Sequence, residues 1–288
     1  MASIFLEQLE VTQFRNLLPF HLAFSTRLNL FHGDNAQGKT NLLEAIHLLT
    51  ALRPFRAGRN RELIAWDATE GSVRGTLRTA IGERQVEVRI SERSRRVRVD
   101  GKALSQVEEF ANTVKVILFS PEDLSLIRGA PAGRRGFLDR AIYHLYPRYA
   151  EILKDYNQVV AQKNRLLVQG DPSGALLEVW NERQAELGSH VMMTRGRFVT
   201  RIRALFEESF QEISGTSIIA GLSYAPANLE LLELEGSELR RQFLASIRAS
   251  SEEERRRKMT VVGPHRDDLS VSLDGRDAAT YGSQGQAR

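Results

Sequence analysis

Hydrophobic and polar positions follow two different periods along the chain. In the first part, short alternating or apolar runs predict β-strands at residues 4–13, 21–24, 28–31, 72–79, 85–90 and 95–99. The dipeptide Asp100-Gly101 predicts a hairpin turn after the last of them. A mostly apolar run over 114–119, ended by Pro121, predicts a buried strand. These runs indicate an antiparallel sheet in the first part of the chain.

From Arg135 onward, apolar residues recur at helical spacing. The clearest repeat consists of Leu153, Tyr156, Val160 and Leu167. A second long pattern from Leu177 to Leu205 follows the Gly/Pro break at 170–174, so the two predict an αα-hairpin. Strands are predicted again at 217–224, 261–262 and 269–273, and a charged helix or linker at 250–258.

One glycine-rich segment, GDNAQGKT at 33–40, matches the phosphate-binding pattern G-x-x-x-x-G-K-[ST]. It lies between a predicted strand and a helical pattern, where backbone N–H groups and the helix N-terminus can hold phosphates. Lys39 is expected to reach the β- and γ-phosphates and Thr40 to ligate Mg²⁺. The alternative is an ordinary glycine turn. The residues predicted to bind ATP here are Gly33, Asp34, Asn35, Ala36, Gln37, Gly38, Lys39, Thr40 and Asn41.

Composition narrows the class of protein. The 288 residues suffice for one large domain or two smaller ones, and no apolar run is long enough for a membrane span. Glu7 and Glu10 interrupt the N-terminus where a secretory signal would be apolar. Cysteine is absent, which excludes disulfides, thiolate metal sites and a cysteine nucleophile. A cytoplasmic protein without a membrane partner is expected.

The basic residues are mostly arginine. Only six of the 40 basic residues are lysines, and arginine suits bidentate phosphate contact. Nucleic-acid binding is therefore plausible, although a general preference for arginine on solvated faces is the alternative. Only Phe55 lies among the arginines of 53–61, and no aromatic residue lies among those of 93–98, which favours sequence-independent phosphate contact over base stacking. The candidate DNA-contact residues are Arg53, Arg56, Arg59, Arg61, Arg93, Arg95, Arg96 and Arg98.

A second motif, Ser283-Gln284-Gly285-Gln286, lies near the end of the chain. Such strings are common in loops. Together with the upstream phosphate-binding loop, however, Ser-x-Gly-Gln resembles the signature loop of ATP-binding-cassette (ABC) ATPases. That resemblance implies that Ser283, Gly285 and Gln286 contact the γ-phosphate of a nucleotide bound to a second subunit.

Six motifs together resemble the RecF family, bacterial DNA repair and replication proteins of the structural-maintenance-of-chromosomes branch of ABC ATPases. They are FRNL at 14–17, GDNAQGKTNLLE at 33–44, LFSPEDL at 118–124, RRGFLD at 134–139, GPHRDDL at 263–269 and SQGQ at 283–286. The resemblance implies an α/β ABC-type ATPase head. A discontinuous ATP-binding lobe would comprise 1–125 plus 260–288, and a helical lobe would comprise 126–259.

The resemblance also implies roles for single residues. Arg15 and Asn16 would approach the nucleotide, with a surface turn as the alternative. Residues 121–123 would form a metal- and water-sensing loop, or would simply end the strand. His265, Asp267 and Asp268 are expected to form a charged loop that holds the following strand, rather than a metal site.

The function implied by the family is an ATP-gated dimeric clamp on gapped DNA, which acts in recombination, replication and the SOS response with the partners RecO and RecR. The complete protein would be a weak DNA-dependent ATPase. The Walker B carboxylates would follow residue 288, so the chain is expected to be truncated, with hydrolysis lost and no catalytic residue present. The alternatives are another P-loop NTPase or kinase, or a DNA-binding module with a vestigial P-loop.

Overall fold

The computed structural model divides the chain into two units, Met1–Leu118 and Phe119–Arg288. The residues that it describes are 4–52, 54, 59–79, 82–104, 110, 114, 116–120, 126–146, 148–170, 174–226 and 236–281. The fold is α/β, as expected. The sequence predicted that 260–288 belongs to the same lobe as the phosphate-binding loop. That prediction depends on how the two units are arranged, so it stays a prediction.

The first unit is built on a six-stranded antiparallel sheet of order β2-β1-β3-β4-β5-β6. Its strands are β1 Phe5–Thr12, β2 Phe20–Ala23, β3 Glu70–Thr79, β4 Gly82–Ser91, β5 Arg95–Val99 and β6 Lys102–Ala103. Helix α1 spans Lys39–Ala51, and a 3₁₀ turn spans Asn60–Leu63. The hairpin predicted at Asp100-Gly101 joins β5 to β6, with positive φ at both residues.

Helix α1 packs on the sheet because its apolar residues repeat at helical spacing. Ala45, Leu48 and Leu49 are completely buried in one cluster with residues of β1, β3 and β4. Gly75 in β3 permits this close approach, since a Cβ there would lie 2.5 Å from Leu49 Cδ2 and 2.7 Å from the Gln8 carbonyl oxygen. The sheet therefore fixes the position of α1 and of the loop that precedes it.

Three predicted strands are not strands. Residues 28–31, the described part of 114–119 and residues 261–262 have no strand pairing. Leu28 and Leu30 are 80% and 81% exposed, and Ile117 is 98% exposed. None of the described strands pairs with 28–31, so the apolar run before the phosphate-binding loop lacks the hydrogen-bond ladder of a strand.

The second unit is mainly helical, as predicted from Arg135 onward. Its helices are α2 Pro131–Leu145, α3 Arg148–Gln169, α4 Ala175–Ser214, α5 Ser237–Ala249, α6 Ser251–Arg257 and α7 Ala278–Tyr281. The predicted αα-hairpin is confirmed, because α3 and α4 pack together on either side of 170–174. Strands β7 Ala220–Ala225, β8 Asp268–Leu273 and β9 Arg276–Asp277 form an antiparallel sheet against α2 and α4.

The length of α4 does not make it a membrane helix. It has 40 residues, but charged side chains recur along it. None of the helices in the described parts of the chain is both long and apolar enough to cross a membrane.

Candidate phosphate-binding loop and its surroundings

The loop before α1 has a backbone suited to curl around an anion. Gly33, Ala36 and Gly38 have φ values of 147°, 64° and 92°, in the range that glycine adopts at least cost. A Cβ at Gly38 would lie 2.7 Å from Leu17 Cδ2 and 3.2 Å from Asn16 Oδ1. The second glycine of the motif is thus required both by its conformation and by its neighbours.

The N-terminus of α1 points its unpaired N–H groups into this loop. The helix begins at Lys39, and no side chain caps it. The first backbone N–H groups of a helix have no intrahelical acceptor, and they carry the positive end of the helix dipole. No acidic residue lies in the first turn to neutralise it. The site therefore favours an anion.

The side chain of Lys39 bends back over the loop. Its Nζ donates to the carbonyl oxygens of Gly33 and Asp34, each at 2.6 Å. This places the ammonium group over the loop, where it would contact the oxygens of a bound phosphate. Thr40 follows in the first turn and is exposed, so its hydroxyl is accessible to a metal ion.

Two asparagines brace one side of the loop. Asn16 Nδ2 donates to the Ala36 carbonyl oxygen at 3.2 Å, and Asn41 Nδ2 donates to Asn16 Oδ1 at 2.6 Å. The structure thus brings Asn16, predicted to approach the nucleotide, into contact with the loop itself.

Arg15 contacts α1 instead. Its Nε and Nη2 donate to Oε2 and Oε1 of Glu44 at 2.9 and 3.0 Å, and the side chain of Glu44 is buried. This bidentate ion pair joins the turn after β1 to the helix. Direct contact of Arg15 with a nucleotide stays a prediction.

A cavity of about 490 Å³ adjoins these residues, and its volume lies in the range of small-molecule pockets. It is lined by Arg15, Asn16, Asn41, Arg61, Glu62, Ile64 and Trp66. Arg61 had been a candidate for DNA contact. In the structure it donates to three carbonyl oxygens of the segment 64–66, so it holds this segment in place.

Glu44 and Trp66 are two residues beside the loop for which the sequence indicated no role. Glu44 is the last residue of the motif at 33–44, but its role depends on an arginine 29 residues away, which the motif does not indicate. Trp66 had a visible signal, because it is a tryptophan in a mostly polar stretch and one of only two in the chain.

The signature motif 283–286 and the segment 121–123 lie outside the residues that the structure describes, as do Arg53 and Arg56. The predicted roles of Ser283, Gly285 and Gln286 therefore stay predictions.

The side chains of the segment 263–269 bond to residues outside it. Nδ1 of His265 lies 2.7 Å from the Tyr156 hydroxyl oxygen, and its Nε2 lies 3.0 Å from Thr260 Oγ1. Burial lowers the pKa of His265 to about 4, so the ring is neutral at pH 7. Asp267 accepts a hydrogen bond from the Tyr224 hydroxyl.

Asp268, at the end of that loop, is paired with Arg134. Its Oδ1 and Oδ2 accept hydrogen bonds from Nε and Nη2 of the arginine at 2.8 and 2.7 Å. Within the described residues, no group of three or more His, Asp and Glu side chains could hold a metal ion. The loop links β8 to the helices.

Charges on the polar face of the large sheet are unevenly compensated. Arg74 is paired with Glu10 and Glu87, and Arg78 with Glu7. The exposed arginines in and beside β5 form no ion pair with any described residue. They are Arg93, Arg95, Arg96 and Arg98. Net positive charge therefore accumulates towards the β5 side of the sheet.

Comparison with known proteins agrees with this geometry. The chain matches the AAA domain family over residues 8–185. It is 36% identical to the DNA replication and repair protein RecF of Geobacter metallireducens over 288 residues, covering 99% of this chain and 77% of the relative. The RecF protein of a Synechococcus species is 38% identical over 293 residues, with the same shares covered.

A solved structure of the recombination mediator protein RecF with ATP, from the RecFOR pathway, superposes with a TM-score of 0.89. It is 31% identical in sequence, and the match covers 99% of this chain and 77% of that one. The likeness therefore extends over both units.

Proposed function

The chain belongs to the RecF family of DNA replication and repair proteins, and we propose that it binds ATP at residues 33–41 and acts as an ATP-gated dimeric clamp on gapped DNA. The observation that carries the ATP site is the curled loop before an uncapped helix, with Lys39 Nζ held over it by two carbonyl oxygens. The similar solved structure of RecF with ATP supports the same ligand.

The described residues fit a magnesium-bound triphosphate. N–H groups at the start of α1 and the ammonium group of Lys39 would bind the phosphate oxygens, and the exposed Thr40 hydroxyl would supply one metal ligand. Asn16 and Asn41 would keep the loop open, because Asn16 bonds to the loop and Asn41 bonds to Asn16. Bound ATP would supply a charged γ-phosphate for a second copy of the chain to recognise.

Dimerisation would complete the site. In this proposal, Ser283, Gly285 and Gln286 of one copy contact the γ-phosphate held by the other copy, so the two copies associate only when ATP is bound. Loss of the γ-phosphate would remove that contact and open the clamp.

The β5 side of the large sheet is the proposed DNA surface. Arg96 and Arg98 lie on the same face of β5, and both are exposed. Contacts from such arginines to phosphates bind DNA without reading its sequence, as a clamp on gapped DNA requires. RecO and RecR are the proposed protein partners, since the similar solved structure belongs to the RecFOR pathway. The proposed setting is recombination, replication and the SOS response.

Sedimentation of the chain with and without Mg·ATP and gapped DNA tests the clamp. We expect ATP to promote a dimer of the wild type and not of Lys39→Ala. Ser283→Arg should still bind ATP as a monomer but should not dimerise. A Lys39→Ala protein that dimerises as readily as the wild type would show that association does not depend on the phosphate-binding loop.

If Ser283→Arg abolishes ATP binding by the monomer, the motif acts within its own chain and the proposed exchange between copies is wrong. A wild type that stays monomeric with ATP would exclude the clamp altogether.

A further inference from the structure

Trp66 is an exposed aromatic residue beside the proposed ATP site. Its side chain is 90% exposed, and it lines the same cavity as Asn16 and Asn41, which brace the phosphate-binding loop. Single exposed apolar residues are common on protein surfaces. An indole that borders a pocket next to a phosphate site has a more specific possible role, because it offers a flat apolar face to a ligand.

Backbone pairing places Trp66 at this position. The N–H of Arg15 donates to the Leu63 carbonyl oxygen, and the N–H of Ala65 donates to the Gln13 carbonyl oxygen, both at 2.9 Å. Phe14 and Ile64 form an antiparallel bridge between the same two segments. The segment 63–65 is therefore fixed beside 13–15, and Asn16 of the phosphate site follows directly.

Arg61 fixes the backbone at Trp66 itself. Its Nη2 donates to the Trp66 carbonyl oxygen at 2.6 Å, and its Nη1 donates to the Ala65 carbonyl oxygen at 3.0 Å. The main chain is thus held while the indole remains free to contact a ligand. Such preorganisation lowers the entropy lost on binding.

We propose that Trp66 stacks on the nucleobase of the nucleoside triphosphate whose phosphates occupy residues 33–41. The inference rests on the proposed ATP site and adds its base-recognition surface. The base and the γ-phosphate form opposite ends of ATP, so the base lies away from the loop and is contacted by a different surface. The cavity is lined by Trp66 and by Asn16, which bonds to that loop, so it offers polar side chains as well as the indole.

Fluorescence can test this contact directly. The chain has two tryptophans, so in a Trp180→Phe background the emission reports Trp66 alone. We expect Mg·ATP to quench this emission and Mg·tripolyphosphate, which lacks base and ribose, to leave it unchanged. Equal quenching by both compounds, or none by ATP while ATP binds, would overturn the proposal.

Affinities of single variants give an independent test. Base–aromatic stacking of ordinary strength predicts that Trp66→Ala weakens ATP binding about fivefold to a hundredfold. Binding of tripolyphosphate should be unchanged, and Trp66→Phe should retain most of the ATP affinity. Because the side chain is exposed, neither substitution should disturb folding.

The possible outcomes distinguish a failure of the stacking proposal from a failure of the proposed ATP site. If Trp66→Ala binds ATP as tightly as the wild type while Lys39→Ala binds weakly, the phosphate site stands and the stacking role is wrong. The stacking role is also wrong if Trp66→Ala loses ATP and tripolyphosphate to the same extent. If Lys39→Ala binds ATP like the wild type, the ATP site is wrong, and the stacking proposal fails with it.

Discussion

At the residue scale, the second unit contains charged side chains that are buried with their partners. Lys163 is completely buried, with its Nζ 2.6 Å from Glu254 Oε2 and 2.9 Å from Gln184 Oε1. Arg195, 2% exposed, pairs with Asp139 and also donates to the Pro264 carbonyl oxygen at 2.6 Å. The Lys163 contacts connect α3 to α6 and α4, and the Arg195 contact connects α4 to the loop before β8. Removing one partner should therefore destabilise the second unit.

Glu254→Gln tests the buried pair. Burial already lowers the pKa of Lys163, and without the carboxylate its ammonium group would be buried with no opposite charge. We expect the substitution to lower the free energy of unfolding by about 3–5 kcal/mol in urea titrations.

The neighbouring Glu253→Gln is the matched control, since it removes the same charge from an exposed pair with Arg257. It should cost about 0–1 kcal/mol. Equal losses for the two variants would show that the buried pair adds nothing beyond the exposed one.

His265 predicts a pH dependence of stability. Burial lowers its pKa to about 4, below the value of 6.5 in an unfolded chain. Between these two pH values His265 is protonated in the unfolded state but not in the folded state. The free energy of unfolding therefore falls as the pH drops from about 6.5 towards 4. At pH 5 the expected loss is about 2 kcal/mol relative to pH 7.

The measurement is the free energy of unfolding at pH 7 and pH 5 for the wild type and His265→Asn. Asparagine cannot take up a proton at this position, so the loss of stability from pH 7 to pH 5 should be about 2 kcal/mol smaller in the variant. Equal losses would mean that His265 does not titrate as its burial implies.

Such residue roles were only partly accessible from the sequence. Lys39 and Thr40 were recognisable because a phosphate loop requires those residue types at a fixed spacing. The bonding of His265 and the burial of Lys163 depend on partners at Tyr156 and Glu254, far away along the chain. Residue type and local spacing contain no information on such pairings.

At the element scale, periodicity predicted the helices better than the strands. Helices α3 and α4 were visible because an apolar repeat at helical spacing fixes one buried face within a single segment. A strand also needs a neighbouring strand, which its own residues do not specify. The apolar runs at 28–31 and 114–119 were therefore mistaken for strands, although Leu28 and Ile117 are exposed.

The β5 strand is the element whose predicted function is easiest to test. Replacing Arg96 and Arg98 together by alanine should weaken DNA binding uniformly across sequences, because both are expected to contact phosphates. The slope of the logarithm of affinity against the logarithm of salt concentration should fall by about two in magnitude. Fluorescence anisotropy of labelled gapped DNA over a salt series measures it.

The control for this double variant removes two arginines that are already paired. Arg241 pairs with Glu238 and Arg257 with Glu253, both in the second unit. Their double alanine variant has the same net charge and should keep the wild-type slope. An identical fall in slope for both doubles would mean that only net charge matters and that β5 is not the DNA surface.

At the scale of the whole molecule, the resemblance of the motifs to a known family was more informative than hydrophobic periodicity. The order of six motifs pointed to the RecF family, and sequence and structural similarity over nearly the full chain show that membership. The strand predicted before residues 33–40 was wrong, yet the helix that follows them, α1, was predicted correctly. The conformation of this segment depends on glycines and a helix start, which are local. The two described units provide the scaffold, and the proposed clamp depends on ATP binding by the first.

Calorimetric titration of Mg·ATP into the chain tests the proposed site most directly. We expect the wild type and Lys102→Ala, which removes an exposed lysine of β6, to bind with the same affinity. Lys39→Ala should bind about tenfold to a hundredfold more weakly, because it loses charge-assisted hydrogen bonds to the phosphates. Equal affinities for Lys39→Ala and the wild type, or no binding by the wild type, would contradict the proposed ATP site.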